Sequence, residues 1–418
     1  MKHNFFIPAI AFIILLPFTL SGQPAWQAQT SPVQEDLVTV SFASTTSGWA
    51  ASATGTIIHT SDGGKSWTVQ HTQTDYYPEK LFFTDTLTGW MVGNTADKYT
   101  TDRALVFKTE DGGASWKLVL TAMGAKLYDI FFVNDTMGWT VGYYLLEGDT
   151  IGLRLHTTNS GKEWKVQDVG ISVATIYSSI HFRDTNIGDL CGPGPVLMHT
   201  NTGGRTSPGW ALNIIRISQP VYDLVNAGDV YGCMVGEEGK IIFTKDKWVQ
   251  FAVDYNYPDG DTLWSVDAID TPAFWIVGEA GTIIFGGVSA IFGLQIQDQS
   301  LDIPQNLYEV DALDDSHVWA VGQAGTILHF GQEGGSGTPV VRTEAFTFFP
   351  NPASGQVLLN RHSVEAGQAH IFNLQGKMVR SIALPAGQTQ VILSLEGVAP
   401  GHYIVQSDGE RKMLVIIR

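Results

Sequence analysis

The feature that most restricts what this chain can fold into is a motif repeated seven times. An apolar opening strand recurs as LVTVSF (37–42), KLFFTD (80–85), LYDIFF (127–132), IYSSIHF (176–182), VYDLVN (221–226), LWSVDA (263–268) and LYEVDA (307–312). Each is followed by a second strand (GWAAS, GWMVG, GWTVG, IGDLCG, YGCMVG, FWIVG, VWAVG) and a third (TIIHT, LVFKT, LRLHT, VLMHT, KIIFT, TIIFG, TILHF). These runs alternate or stay apolar between Gly, Asp, Asn or Thr, as short sheet strands do, and no helical period is sustained after the N-terminal segment. A unit of about 41 to 50 residues with four such strands has the size of a propeller blade. The expectation is an all-β fold, a seven-bladed beta-propeller.

A ring of sheets has to close. Fourth strands read WTVQ (67–70), WKLV (116–119), WKVQ (164–167) and WVQF (248–251), but the seventh unit runs directly from TILHF into GQEGGSGTP. WQAQ stands at 26–29, ahead of the first unit. We infer that this segment supplies the missing outer strand and removes an exposed edge; an ordinary frayed N-terminus is the alternative.

At 418 residues the chain exceeds one compact core. Residues 1–22 have the layout of a secretory signal peptide: one lysine, an apolar run broken by Pro8 and Pro17, then small and polar residues. The division expected is therefore a signal peptide (1–22), the propeller (23–331), a Gly-rich linker (332–341) and a C-terminal module (342–418), with no transmembrane span in the mature chain. Net charge is -17, and residues 342–418 hold seven basic and five acidic groups, so the acidity lies in the propeller. A surface of that sign excludes nucleic acid as a partner. Two cysteines, Cys191 and Cys233, are too few for a disulfide framework, and leave one bridge or two buried thiols open.

Residues 60–67 read TSDGGKSW and residues 109–116 read TEDGGASW. The pattern formed by Asp62, Gly64 and Trp67, again by Asp111, Gly113 and Trp116, and with Asn for Asp by Asn159, Gly161 and Trp164, resembles the Asp box (BNR repeat) of sialidases and sortilin-like receptors. It is more similar to the repeat of the photosystem II assembly-factor propellers. An Asp or Asn side chain can tie down its own hairpin, Gly permits positive φ, and Trp buries a large ring. A catalytic acid would not tolerate repetition and drift to Asn within one chain, so these residues are read as structural.

Chemistry is thin elsewhere. The resemblance to sialidases would imply an arginine cluster, yet residues 26–330 contain only Arg103, Arg154, Arg183, Arg205 and Arg216, unrelated by any motif. No GxSxG, phosphate loop, HExxH or CxxC occurs. DYNYPDGD (254–261) faintly resembles a calcium loop, but Pro258 stands where a ligand is wanted. No cofactor, metal or catalytic residue is assigned. The loops joining second to third strands, and blade to blade, share the face opposite the Asp boxes. They carry Tyr76, Tyr77, Tyr99, Tyr143, Tyr144, Tyr255 and Tyr257, with Arg103 beside them. Tyrosine on exposed loops suits recognition, because a ring buries area at small entropic cost and keeps a polar tip.

The tail segments FPNPASGQVLL (349–359), IFNLQGKMV (371–379), LEGVAPGHYIVQ (395–406) and RKMLVIIR (411–418) resemble the type A C-terminal sorting domain of the type IX secretion system of Bacteroidetes. Read from the residues alone they form a small Ig-like β-sandwich. The resemblance implies handling by the type IX secretion machinery, passage through the periplasm, and release or cell-surface attachment. The function expected is a secreted or surface non-catalytic propeller that binds a protein or glycan through Tyr-rich acidic loops; the alternative is an Asp-box glycoside hydrolase with paired carboxylates.

Overall fold

The computed structural model describes residues 25–416, apart from 73–74, 96–101, 168–174, 195, 207–208, 214–218, 249–251, 270–272, 290–292, 332–337, 340–345, 350–352, 354, 362–363, 374–376 and 408–409. The expected signal peptide and most of the expected linker lie outside these residues.

Residues 25–339 form seven antiparallel sheets, and in six of them four consecutive strands lie side by side in chain order. Their inner strands are Leu37–Phe42, Tyr76–Phe83, Ala125–Phe132, Ser179–Phe182, Val221–Ala227, Leu263–Ile269 and Leu307–Asp314. Each inner strand touches the next, and the seventh touches the first, so the ring is closed. Closure uses the N-terminus as inferred: Ala25–Ala28 pairs antiparallel with Ile327–Gly331 as the fourth strand of the seventh sheet. The short strand Thr338–Pro339, within the expected linker, adds outside it.

The core lies between blades. The second-strand tryptophan of one blade stacks on the inner-strand phenylalanine of the next: Trp49 on Phe83 at 3.6 Å, Trp90 on Phe132 at 4.2 Å, Trp139 on Phe182 at 3.6 Å, and Trp319 on Phe42 at 3.5 Å. The Asp-box tryptophan then meets the same phenylalanine edge-on, as Trp67 does with Phe42 and Trp116 with Phe83. The glycine of the Gly-Trp pair is required by this packing, since a Cβ on Gly48 would stand 2.4 Å from the Phe42 ring. Between the fourth and fifth blades the stack is replaced by a polar seam. Asp189 occupies the tryptophan position and Asn226 the phenylalanine position, and the Asn226 amide donates to Asp189 Oδ2 at 3.0 Å.

Residues 346–416 form a three-stranded and a four-stranded antiparallel sheet. Val357, Leu359, Ile371, Val405 and Leu414 are buried together between them, giving the tail its own apolar core.

Candidate functional site

The sequence-derived candidates gather, by topology, at one end of the sheets. Tyr76 and Tyr77 pair with Thr95 and Asn94, and Tyr143 and Tyr144 pair with Gly152 and Ile151 near the tip of a long hairpin. They belong to strands, not to free loops. Two of the eight cannot meet a ligand: Tyr76 is 4% and Tyr257 6% exposed, Tyr76 packing on Phe107 and Tyr257 joining the core between the fifth and sixth blades. The loop composition disguised this, because a tyrosine next to a turn packs down wherever an apolar neighbour waits. Tyr77 is exposed, while Tyr143, Tyr144, Tyr255 and Arg103 are half-buried. Tyr99 lies outside the described residues.

Around these residues the structure adds apolar surface that composition did not reveal. Met123, Leu145 and Leu146 are exposed, and the Leu145 N–H donates to Gly124 O at 2.8 Å, which joins the hairpin tip of the third blade to the end of the second. Glu147 and Asp149 flank the leucines and are exposed.

On the opposite end the Asp boxes are self-contained. Asp62 Oδ1 accepts from the Thr60 hydroxyl at 2.8 Å and the Ser66 N–H at 2.9 Å, and its Oδ2 accepts from the Ser66 hydroxyl at 2.6 Å. Asp111 repeats the arrangement with Thr109 and Ser115, whose hydrogen bonds hold its pKa below the ordinary carboxylate value. In the third copy Asn159 Oδ1 accepts from the Thr157 hydroxyl and the Glu163 N–H, so one neutral oxygen suffices for those bonds. The loop read as faintly calcium-like is occupied by a lysine: Lys240 Nζ donates to Asp254 Oδ1 at 2.6 Å and Asn256 Oδ1 at 2.7 Å. Among the described residues no cluster of three or more metal-ligating side chains occurs. Cys191 and Cys233 are free, buried thiols, raised in pKa by burial.

The axis of the ring holds a feature that sequence reading missed. A cavity with about 230 Å³ of solvent space is lined by the inner strands and by Lys80, Asp129, His181, Asp223, Asp267, Glu309 and Asp311. Most of these carboxylates bridge blades. Asp129 accepts from the N–H of Ile130 in its own strand and of Ile180 in the next blade, both at 2.8 Å. Asp223 does so with Leu224 at 2.9 Å and Val266 at 3.0 Å, and Asp267 with Ala268 at 2.8 Å and Ala312 at 2.7 Å. Asp311 takes the Phe42 N–H and so joins the last blade to the first. Thr39 and Ser41 take the Leu81 and Phe83 N–H groups between the first two blades. Between the second and third the Asn94 side chain pairs both ways with the Leu127 backbone.

Lys80 replaces the acceptor in the second blade and reaches across the first blade to bond Glu309. Its side chain keeps 24% exposure, open to the cavity. Burial would lower the lysine pKa, but Glu309, Asp129 and Asp223 raise it, so the ammonium stays charged. Burial raises Glu309 to about 8 despite Lys80, and Asp129 to about 6. Burial also raises Asp267 and Asp311, and Asp267 further raises Asp311. His181, pushed down to about 3 by burial and by Arg183 and Lys80, is neutral. The signal was present in the sequence as the polar residue after each opening pair, in LYDIFF, VYDLVN and LYEVDA. It was unreadable there because its partners lie one blade away.

Comparison with known proteins places both parts of the chain. Residues 347–417 match the family of the secretion system C-terminal sorting domain, and residues 19–122 match the family of the photosynthesis system II assembly factor YCF48. No curated protein sequence matches. Among solved structures, YCF48 bound to D1 peptide superposes with a TM-score of 0.57 at 18% identity, over 74% of this chain and 98% of that one. YCF48 from Cyanidioschyzon merolae gives 0.57 at 16% identity, over 73% and 99%. The WD40 beta propeller domain of Doa1 gives 0.53 at 12% identity, over 74% and 98%. No helix among the described residues is long and apolar enough to cross a membrane. The sorting domain marks export by the type IX secretion system, to the cell surface or the medium. The chain joins a YCF48-like, BNR-type beta-propeller to a type IX secretion C-terminal sorting domain.

Proposed function

We propose that the exported propeller is a binding protein that captures a polypeptide on its tyrosine-bearing face, at the second and third blades. The observation that carries this reading is the joint exposure there of Tyr77, Met123, Leu145 and Leu146, with Tyr143 and Tyr144 half-exposed beside them. Contiguous apolar side chains rimmed by charge are the anatomy of an interaction site. The structural relative bound to D1 peptide supports a peptide over a glycan as the class of ligand. The hydrolase alternative finds little support. The Asp-box oxygens are spent on their own hairpins, and those of Asp129, Asp223 and Asp267 on bridging blades.

The test is a peptide-array and glycan-array screen with the mature protein, beside an activity screen on sialyl and plant-type glycosides. Saturable peptide binding that falls about tenfold on Tyr143→Ala, the size of a modest hot spot, supports the reading. Glycoside turnover lost on a single Asp or Glu substitution on this face overturns it.

A further inference from the structure

Six of the seven inner strands carry a one-residue bulge at the same place, just before the first residue of the axial belt. The extra residues are Val38, Glu79, Tyr128, Tyr222, Trp264 and Tyr308. A bulge turns its extra side chain out of the ladder. All six are half-exposed, while the residue preceding each is buried. Four are aromatic, and each stands one position from the belt residues, at the end of the strands that also carries Tyr143. They form a collar at that end of the inner strands, outside the residues that line the axial cavity.

The collar is built and charged. Tyr222 and Trp264 stack across a blade junction, with ring centroids 5.1 Å apart and planes 26° from parallel. Tyr128 lies 6.1 Å from Tyr143, which ties the collar to the face already described. The Tyr222 hydroxyl donates to Glu237, and Glu279 also acts on that tyrosine. Trp264 Nε1 has no hydrogen-bond partner. The axial carboxylates are already engaged, Asp129, Asp223 and Asp267 by backbone N–H groups and Glu309 by Lys80, so the acid bonded to the stacked pair is Glu237. Lys126 acts on Glu79, so that side of the collar already has its own cation. Aromatic faces attract ammonium and guanidinium groups, and a carboxylate beside them adds to the attraction.

We propose that this collar is a binding site for a lysine or arginine side chain presented by a polypeptide, its charge received by the Tyr222 and Trp264 faces and by Glu237. The proposal rests on the reading of this face as a polypeptide-binding surface and gives it a partner chemistry. The test is calorimetric titration of the mature protein, in 0.15 M salt, with tetralysine, its Nε-trimethyl form, tetraglutamate and cellotetraose.

Both lysine peptides are expected to bind saturably and the other two probes not at all. Trp264→Ala is expected to weaken tetralysine about tenfold. Trp264→Phe, which keeps a ring face and controls for folding, is expected to retain most of the affinity, and Glu110→Gln, at an exposed acid of the Asp-box end, all of it. Equal affinity in Trp264→Ala and parent, or binding of tetraglutamate, overturns the proposal. If Tyr143→Ala abolishes capture of an array peptide while Trp264→Ala leaves tetralysine untouched, the collar fails and the face stands. If neither variant matters, both readings fail.

Discussion

At Asp311 the ring closes through a buried carboxylate whose Oδ2 holds the Phe42 N–H, with Asp267 pressing on its charge. A carboxyl with a folded pKa above its unfolded value keeps its proton longer in the fold. The stability it lends is therefore complete below the unfolded value near pH 4 and drains away as pH climbs toward the folded value. With Glu309 raised to about 8 and Asp129 to about 6, the window runs from about pH 4 to 8. Asp311→Asn keeps an acceptor oxygen and removes the charge. It is expected to melt above the parent at pH 8 by an amount on the order of 2 kcal/mol, with the gap shrinking toward pH 4. Thermal melts across that range check it, and a gap that widens on acidification would show the charge to be favourable in the fold. Asp62 offers the contrasting case. Its ties lie within its own hairpin, where Asn already serves in the third blade, so Asp62→Asn should cost under about 0.5 kcal/mol and Asp62→Ala about 1 kcal/mol in urea unfolding. A large loss for both would mean the negative charge itself matters.

At the scale of elements, the blade is held less by its own ladder than by what stands on either side. Phe83 is flanked by Trp49 at 3.6 Å on one face and meets Trp116 edge-on. Phe83→Ala is expected to cost about 3–5 kcal/mol, with the loss read from urea midpoints. The closing strand is equally exposed to loss. Trp26 is 4% exposed and packs on Trp275 at 5.3 Å and Phe330 at 5.5 Å. Trp26→Ala should cost about 3–5 kcal/mol and increase hydrogen exchange in Ile327–Gly331, whose partner strand it anchors. Unchanged exchange there would indicate that the seventh sheet stands without its N-terminal strand. The Asp-box hairpins were legible in the sequence because every bond within them spans four residues or fewer. The bulges were not, since an extra residue is visible only when the partner strand is laid beside it.

At the scale of the whole molecule, a ring of like sheets is followed by a separate sandwich that carries the export address. The tail has its own apolar core, so removing residues 342–418 is expected to leave the melting of the propeller within about 2 °C of the parent while abolishing appearance outside the cell; a large drop in melting temperature would make the sandwich part of the scaffold. Repetition, turn chemistry and the four tail segments determined the all-β class, the stacking of like units and the export address, because each is written in residues close together in the chain. Which tyrosines sink into the core, which carboxylates lace one blade to the next, and which side chains the inner-strand bulges turn aside were decided only by the tertiary structure. These depend on neighbours about one blade distant, and a one-residue bulge is enough to turn a side chain out of the ladder.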